Sequence, residues 1–318
     1  MARQPRIANR RGRFVRFLIR RALAAVALVF IVASGSLLLA HIAPGDYESQ
    51  LGEDPAVRAA ERARLGLDRP VAEQYATWLR RSLTLDLGES FHYRRPVRTL
   101  VGERAANTAV LAVIALVLAT VVGIPCGIVT GSRGGGFLVS LIRATSVVLL
   151  SVPPLITSLV LVTIAVGTGF APISGSISAS RLIVPALALA FPLAATLERL
   201  QSQALRDALQ RPNMIAALAR GVPKRRVIWR HAWRLSLGPI LAIYGVMIGT
   251  LFSGSFAVEI VTSWPGLGEL MRQALMSRDT YLVAGCAAAG ALFLAAGVLI
   301  ADVLHAALDP RIETERTT

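Results

Sequence analysis

Six stretches of this chain contain no Asp, Glu, Lys or Arg: residues 22–45, 105–132, 144–180, 182–197, 235–258 and 280–301. About 20 mostly apolar residues carry a helix across a bilayer, and a helix satisfies its own backbone polar groups there. The 182–197 stretch is short, but Arg181 can snorkel at its start and Glu198 stands at its far end. Composition agrees: 54% of residues are hydrophobic and 17% charged, where a soluble domain carries about 25% charged. A mean hydropathy of +0.58 leaves no disordered chain, and two cysteines cannot build a disulfide scaffold. Cys126 and Cys286 lie inside apolar runs and read as packing residues. A soluble enzyme does not fit this pattern.

The third stretch is too long for one crossing. Gly167, Gly169, Pro172 and the Ser/Gly cluster at 174–180 mark its break, which places that helix over about 142–168. Pro185 and Pro192 predict a kinked fourth helix. The reading is all-α: a polytopic membrane protein with about six transmembrane helices. Helix 1 occupies 22–45, and helices 2–6 form a core over 105–312.

Arginine sets the orientation. Residues 1–21 form a basic N-terminus with eight arginines and no acid. With six crossings, both termini share a side with the segments near 131–143 and 198–234. That side holds 21 basic and 6 acidic residues, and the other holds 13 of each. The whole net charge of +15 therefore lies on one side, which the positive-inside rule makes cytoplasmic. No nucleic-acid partner is needed to explain the charge. The apolar core of helix 1 exceeds the roughly 7–15 residues of a signal peptide, so an uncleaved helix is expected. Residues 313–318 form a cytoplasmic tail, and 46–104 a charge-balanced external region, a small domain of short helices such as Asp54 to Leu65.

The loop 198–234 is too basic for lipid and too patterned for a linker. In it, Asn213 is a good N-cap, Gly221 suits the left-handed C′ position, and Pro223 forbids continuation. This predicts about two helical turns, Asn213, Met214, Ile215, Ala216, Ala217, Leu218, Ala219 and Arg220, with Met214, Ile215 and Leu218 on one face. A helix this short needs something to pack against. A partner's groove is one answer, and its own membrane domain is the other. The run Lys224, Arg225, Arg226, Arg230 and Arg234 reads as an anchor to lipid headgroups.

The segment Ala216-Ala217-Leu218-Ala219-Arg220-Gly221 is followed by Arg226-Val227-Ile228-Trp229-Arg230-His231-Ala232 and Leu237-Gly238-Pro239-Ile240. Together they resemble the EAA loop of ABC importer permeases, more narrowly the dipeptide/oligopeptide/nickel type. Ile42-Ala43-Pro44-Gly45-Asp46, Leu65-Gly66-Leu67-Asp68-Arg69-Pro70, Asp86-Leu87-Gly88-Glu89-Ser90 and Val184-Pro185-Ala186-Leu187 match that pattern in order. So do Ser263-Trp264-Pro265-Gly266-Leu267-Gly268 and Leu308-Asp309-Pro310-Arg311. One departure stands out: Pro212-Asn213-Met214 replace the usual acidic residue at the start of the motif.

The resemblance implies a non-catalytic permease subunit in the bacterial inner membrane, with both termini cytoplasmic. Its implied partners are a second, homologous permease, two ATP-binding subunits and an external solute-binding protein. The helix at 213–221 would be the coupling helix. ATP and Mg would be bound by the partner ATPases, and the chain would need no cofactor or metal of its own. Di- or oligopeptides are the implied cargo, with nickel chelates or another small solute as the alternative. The pore would recognise little, because the binding protein selects upstream.

Two further segments have two readings each. Ser263, Trp264, Pro265, Gly266, Leu267 and Gly268 make either an interfacial tryptophan anchor or, by the resemblance, a lid-like external loop at the pore mouth. Ser151, Pro153 and Pro154 open the backbone of the third helix, either at the pore or as a packing kink.

Other functions fit less well. The sole lysine, Lys224, follows no glycine-rich loop, so there is no Walker A sequence. An ion-coupled secondary transporter would bury titratable groups mid-membrane, and the five best helices carry no Asp, Glu, Lys or Arg in their central stretches. His41, His92, His231 and His305 lie at interfaces or in loops, and no HExxH or GxSxG occurs, which argues against a membrane enzyme.

Overall fold

Apolar runs of membrane-crossing length become helices, and helical periodicity then decides which faces pack. The computed structural model describes residues 8–42, 68–172 and 178–308. In order, the helices are α1 (Ala8–Ile42), α2 (Val71–Ser82), α3 (Val97–Ser132), α4 (Phe137–Ser151), α5 (Pro154–Thr168), α6 (Ile183–Leu209), α7 (Pro212–Ala219) and α8 (Lys224–Val227). A wide helical turn, Ile228–Ala232, leads into α9 (Trp233–Thr262), followed by α10 (Leu267–Met276) and α11 (Thr280–Leu308). No strand occurs among the described residues. The expected helix Asp54–Leu65, the segment 43–46 and the tail 313–318 lie outside them.

Among the described residues, five helical segments are long and apolar enough to cross a membrane: Ile19–Ala40, Val97–Ser132, Ile183–Leu209, Ile243–Thr262 and Thr280–Ile300. The third expected crossing is not one straight helix. It is α4 and α5, bent by 107° about Val152 and Pro153, and it makes a sixth span if the pair counts as one. Proline explains the break, since Pro153 and Pro154 offer no backbone N–H to continue α4, and Val152 is extended at φ −102° and ψ 118°. α5 then ends as expected, with Gly169 left-handed at φ +69°.

Two other boundaries move. α3 starts at Val97, so the last residues of the expected external region are already helical. α6 continues to Leu209, well beyond Leu197. Charge begins at Glu198, but the helical period does not stop there. Leu197, Gln201, Leu205 and Ala208 stay buried while Arg199, Gln203, Arg206 and Asp207 face outward. Most of the expected loop before the coupling helix is therefore helix.

The chain forms two compact units. The first spans residues 1–102 with 271–299. In it Ala33 and Leu37 of α1, Trp78 of α2 and Ala284 of α11 share one apolar cluster. The Tyr75 hydroxyl donates to Ser34 Oγ at 3.1 Å. A small turn between Gly88 and Val97 is tied to Asp279, which is fully buried. Asp279 Oδ2 accepts from Ser90 Oγ at 2.6 Å and from the His92 N–H at 3.2 Å, and Oδ1 accepts from the Leu282 N–H at 3.1 Å. The carboxylate thus caps α11 and holds the turn with the same group.

The second unit spans 103–270 with 300–318. α6 is its centre, packed against α4, α5 and α9. α3 also lies against α6, and its contact is built from glycine. Gly123, Gly127 and Gly131 recur every fourth residue. Cβ atoms placed there would lie 2.5 Å from Ala194 O, 2.6 Å from Gln201 Cβ and 2.8 Å from Ser202 O. Small residues at this spacing let helices approach closely where lipid gives no hydrophobic drive to associate.

Candidate functional site

The coupling segment folds as a short helix with a defined stop at each end. Asn213 is not its N-cap. Pro212 occupies the first helical position, and Arg211 before it is extended at φ −65° and ψ 143°. Proline fits that position because its missing N–H has no helical partner anyway. The C-terminus is as expected. Gly221 is left-handed at φ +82°, its N–H bonds Leu218 O at 3.0 Å, and the Val222 N–H bonds Ala217 O at 3.2 Å. This pair of bonds closes the helix and satisfies its last carbonyls.

The three apolar residues of this helix are unequally buried. Met214 is 5% exposed and anchors α7 to the chain, while Ile215 is 56% and Leu218 37% exposed. Asn213, Ala216, Ala219 and Arg220 are exposed beside them. The helix is thus anchored to its own chain through Met214, and Ile215 and Leu218 leave an apolar surface uncovered. Covering one side chain of this size stabilises by about 1.5–3 kcal/mol.

The Ser263–Gly268 segment is built inward. Trp264 is 3% exposed and packs with Leu111, Leu189 and Leu251, which excludes a lipid-facing tryptophan anchor. Asn107 and Thr108 of α3 pin the segment. Asn107 Nδ2 donates to Pro265 O at 2.8 Å and Trp264 Nε1 to Asn107 O at 3.3 Å. The Thr108 hydroxyl donates to Glu259 Oε1 at 2.7 Å and accepts from the Leu267 N–H at 2.9 Å. Glu259 Oε2 takes the Gly268 N–H at 2.6 Å, so a carboxylate from α9 caps the start of α10. Gly266 has no room for a side chain, because a Cβ there would collide with the Glu259 carboxylate. Of the six residues only Ser263 is exposed.

Ser151, Pro153 and Pro154 stand at the bend between α4 and α5. Ser151 Oγ donates to Val147 O at 2.9 Å, and both Ser151 and Pro153 are exposed. Below the bend a cavity of about 730 Å³ lies between α4 and α6, lined by Arg143, Val147, Glu198, Arg199, Ser202 and Arg206 among others. Glu198 is only 2% exposed and accepts a short hydrogen bond from Thr130 of α3.

Sequence reasoning passed over Asn107, Thr108, Glu259 and Thr130, and took Glu198 for a helix end. The glycines at 123, 127 and 131 were a readable signal, since three small residues every fourth position in an apolar run mark a helix contact. Nothing in the sequence pairs Thr108 with Glu259, 151 positions apart.

Comparison with known proteins finds sequence matches along most of the chain. The family described as "Binding-protein-dependent transport system inner membrane component" matches residues 123–314. Its N-terminal counterpart, "Binding-prot-dependent transport system membrane comp, N-term", matches residues 14–112. The oligopeptide transport system permease protein AppB of Bacillus subtilis is 31% identical over 93% of this chain and 99% of its own length. The dipeptide transport system permease protein DppB of Lactococcus lactis is 28% identical over 94% and 99%. The glutathione transport system permease protein GsiC of Escherichia coli is 30% identical over 93% and 98%. With the matched families covering both ends of a multi-helix membrane architecture, the chain belongs to the inner membrane components of binding-protein-dependent transport systems.

Proposed function

We propose that this chain is one half of the translocation pore of an ATP-driven importer of di- or oligopeptides, and that α7 couples it to a separate ATPase. The observation that carries the coupling role is the division of labour within α7. Met214 holds the helix to its own chain while Ile215 and Leu218 present an apolar surface outward. The relatives named for oligopeptide, dipeptide and glutathione transport support the cargo class. The departure at Pro212-Asn213-Met214 does not prevent the helix, because proline initiates it.

In this reading a second, homologous permease completes the pore, two ATPase subunits bind ATP and Mg and hydrolyse the nucleotide, and an external binding protein delivers substrate. The chain is itself non-catalytic. Counting α4 and α5 as one crossing gives six spans, and the net charge of +15 supports a cytoplasmic side for both termini and α7. The Ser263–Gly268 segment lies outside, pinned to α3, and meets the binding protein as part of a rigid wall. The bend at Ser151–Pro154 faces the path.

The test is purification of the tagged chain from its host in mild detergent, with mass spectrometry of the copurifying proteins. An ATPase and a second permease are expected, and ATP-dependent peptide uptake should be recovered in liposomes with the binding protein. A chain that purifies alone and transports without ATP would replace this reading with a secondary transporter.

A further inference from the structure

The end of α2 holds out two leucines that the packing of the chain does not use. Leu83 is 80% and Leu85 76% exposed. α2 stops in a turn closed by two bonds: the Leu85 N–H bonds Ser82 O at 3.0 Å and the Asp86 N–H bonds Arg81 O at 3.0 Å. Such a turn puts one residue in the left-handed region, where glycine is the usual choice. Here that residue is Leu85, at φ +59°. A strained position that displays a large apolar side chain points to a use for that side chain.

The depth of this turn follows from its two arms. Leu79, before it, packs on the cluster of Ala33, Leu37, Trp78 and Ala284. After it, Leu87 Cδ1 lies 3.8 Å from where a Gly285 Cβ would stand, and a Cβ on Gly88 would lie 3.3 Å from the Tyr281 ring. The spans that carry these contacts are Ile19–Ala40 and Thr280–Ile300, of 22 and 21 residues. At 1.5 Å per residue each is about 32 Å long, which matches roughly 30 Å of hydrocarbon. Ala40 and Thr280 therefore mark one membrane boundary, and Leu37 and Ala284 lie about 5 Å inside it. With both arms packed at that depth, the turn between them sits in the headgroup layer.

Charge fits that layer. Arg80 and Arg81, on the last turn of α2, are exposed next to the leucines. The acids of the same stretch are Asp86 and Glu89, and Asp86 Oδ1 is turned back onto the Gly88 N–H at 3.0 Å. Arginines beside apolar side chains at an interface suit an anionic phospholipid. We infer that Leu83 and Leu85 enter the outer leaflet while Arg80 and Arg81 hold the phosphate of a phosphatidylglycerol headgroup. The choice of the outer leaflet rests on the importer reading above, which sets the orientation. A docking surface for the binding protein would stand clear of the bilayer, whereas both arms of this turn pack against the spans. The anchored turn leads directly into the Gly88–Val97 turn that Asp279 ties to α11, so the lipid contact sets the level of that external segment.

The experiment uses the complete importer in nanodiscs of phosphatidylcholine mixed with phosphatidylglycerol. Leu83→Cys carries a nitroxide, with the parent chain labelled in parallel as background, and collisions with oxygen are compared with collisions with a water-soluble nickel chelate. Oxygen should dominate, as at a lipid-immersed site. In native mass spectrometry, Arg80→Gln and Arg81→Gln should each weaken retention of phosphatidylglycerol about fivefold and leave phosphatidylcholine unchanged. Leu85→Gly relieves the left-handed backbone, so the Tm in detergent should not fall, yet the label should shift towards the chelate. A label open to the chelate, or one that does not move in Leu85→Gly, would overturn the proposal. So would a label protected only when the binding protein is added, which would make the turn a protein-docking surface. Immersion with no loss of phosphatidylglycerol in either arginine variant would overturn it as well. Neither readout uses transport, so these failures leave the importer reading standing, and a parent complex without ATP-dependent uptake would sink that reading alone.

Discussion

Glu259 reaches past the end of its own helix and accepts the Gly268 N–H at 2.6 Å, so a carboxylate from α9 caps α10. The five residues between Thr262 and Gly268 must therefore keep one path. Ser263 accepts a left-handed conformation at φ +50° to allow it, and the Trp264 N–H closes α9 on Glu259 O at 2.9 Å. Glu259→Ala should leave the Thr108 hydroxyl and the Gly268 N–H without this partner, at about 1–3 kcal/mol for each buried group. Gly268→Ala should be at least as damaging, because its Cβ would lie 2.5 Å from Phe256 Cα. Thermal unfolding in detergent should show a lowered Tm for both, and an unchanged Tm would remove the capping role.

The glycine contact between α3 and α6 predicts a steep dependence on side-chain size. Gly127→Ala should cost about 1–3 kcal/mol by overpacking, and Gly127→Leu should prevent accumulation of folded protein. Gly102 is also on α3, but a Cβ there would meet nothing within 4 Å, so it should accept alanine with little change. Fluorescence-detected gel filtration of the three variants separates these outcomes.

The coupling helix predicts two classes of variant. Met214→Glu places a charge at a site 5% exposed and should destabilise the chain itself. Leu218→Glu changes an exposed residue, so insertion and stability should persist while the ATPase no longer copurifies and uptake is lost. Gly221→Ala should cost about 1 kcal/mol, because φ is +82° there. Wild-type ATPase recovery with Leu218→Glu would dismiss α7 as the docking element.

Asp279 gives a pH dependence. Burial raises its carboxyl above the ordinary 3.8, and the hydrogen bonds from Ser90, Leu282 and His92 oppose that shift without cancelling it. A raised folded-state pKa means that the folded chain binds the proton more readily than the unfolded chain. The stabilisation from that proton is fully present below 3.8 and is lost as pH rises through the folded-state value. The stability of the wild type relative to Asp279→Asn should therefore fall as pH rises from 3.8 through the raised value, and then level off. A difference that grew with pH would reverse the assignment.

Much of the architecture was legible because lipid imposes one-dimensional rules. The end of α5 at Gly169 and the left-handed Gly221 both followed from local chemistry. The two largest departures have a common cause. A charge-free window ends α6 at Leu197, whereas burial carries it to Leu209, and the same window runs straight through the 107° bend at Val152 and Pro153. Hydropathy reports what a segment tolerates as a solvent, and it is silent on how the segment packs.

Sequence alone determined that this chain lives in a membrane, where its main apolar helices lie, and that a short helix stopped by a left-handed glycine lies near 213–221. Those properties depend on residues close together or on sums over segments. Only the tertiary structure decided that Met214 is covered while Leu218 is left exposed, that Thr108 meets Glu259, and that Glu198 is buried against Thr130. Each of these depends on which helix lies beside which, and that is settled by close packing and hydrogen bonding between residues far apart in the chain.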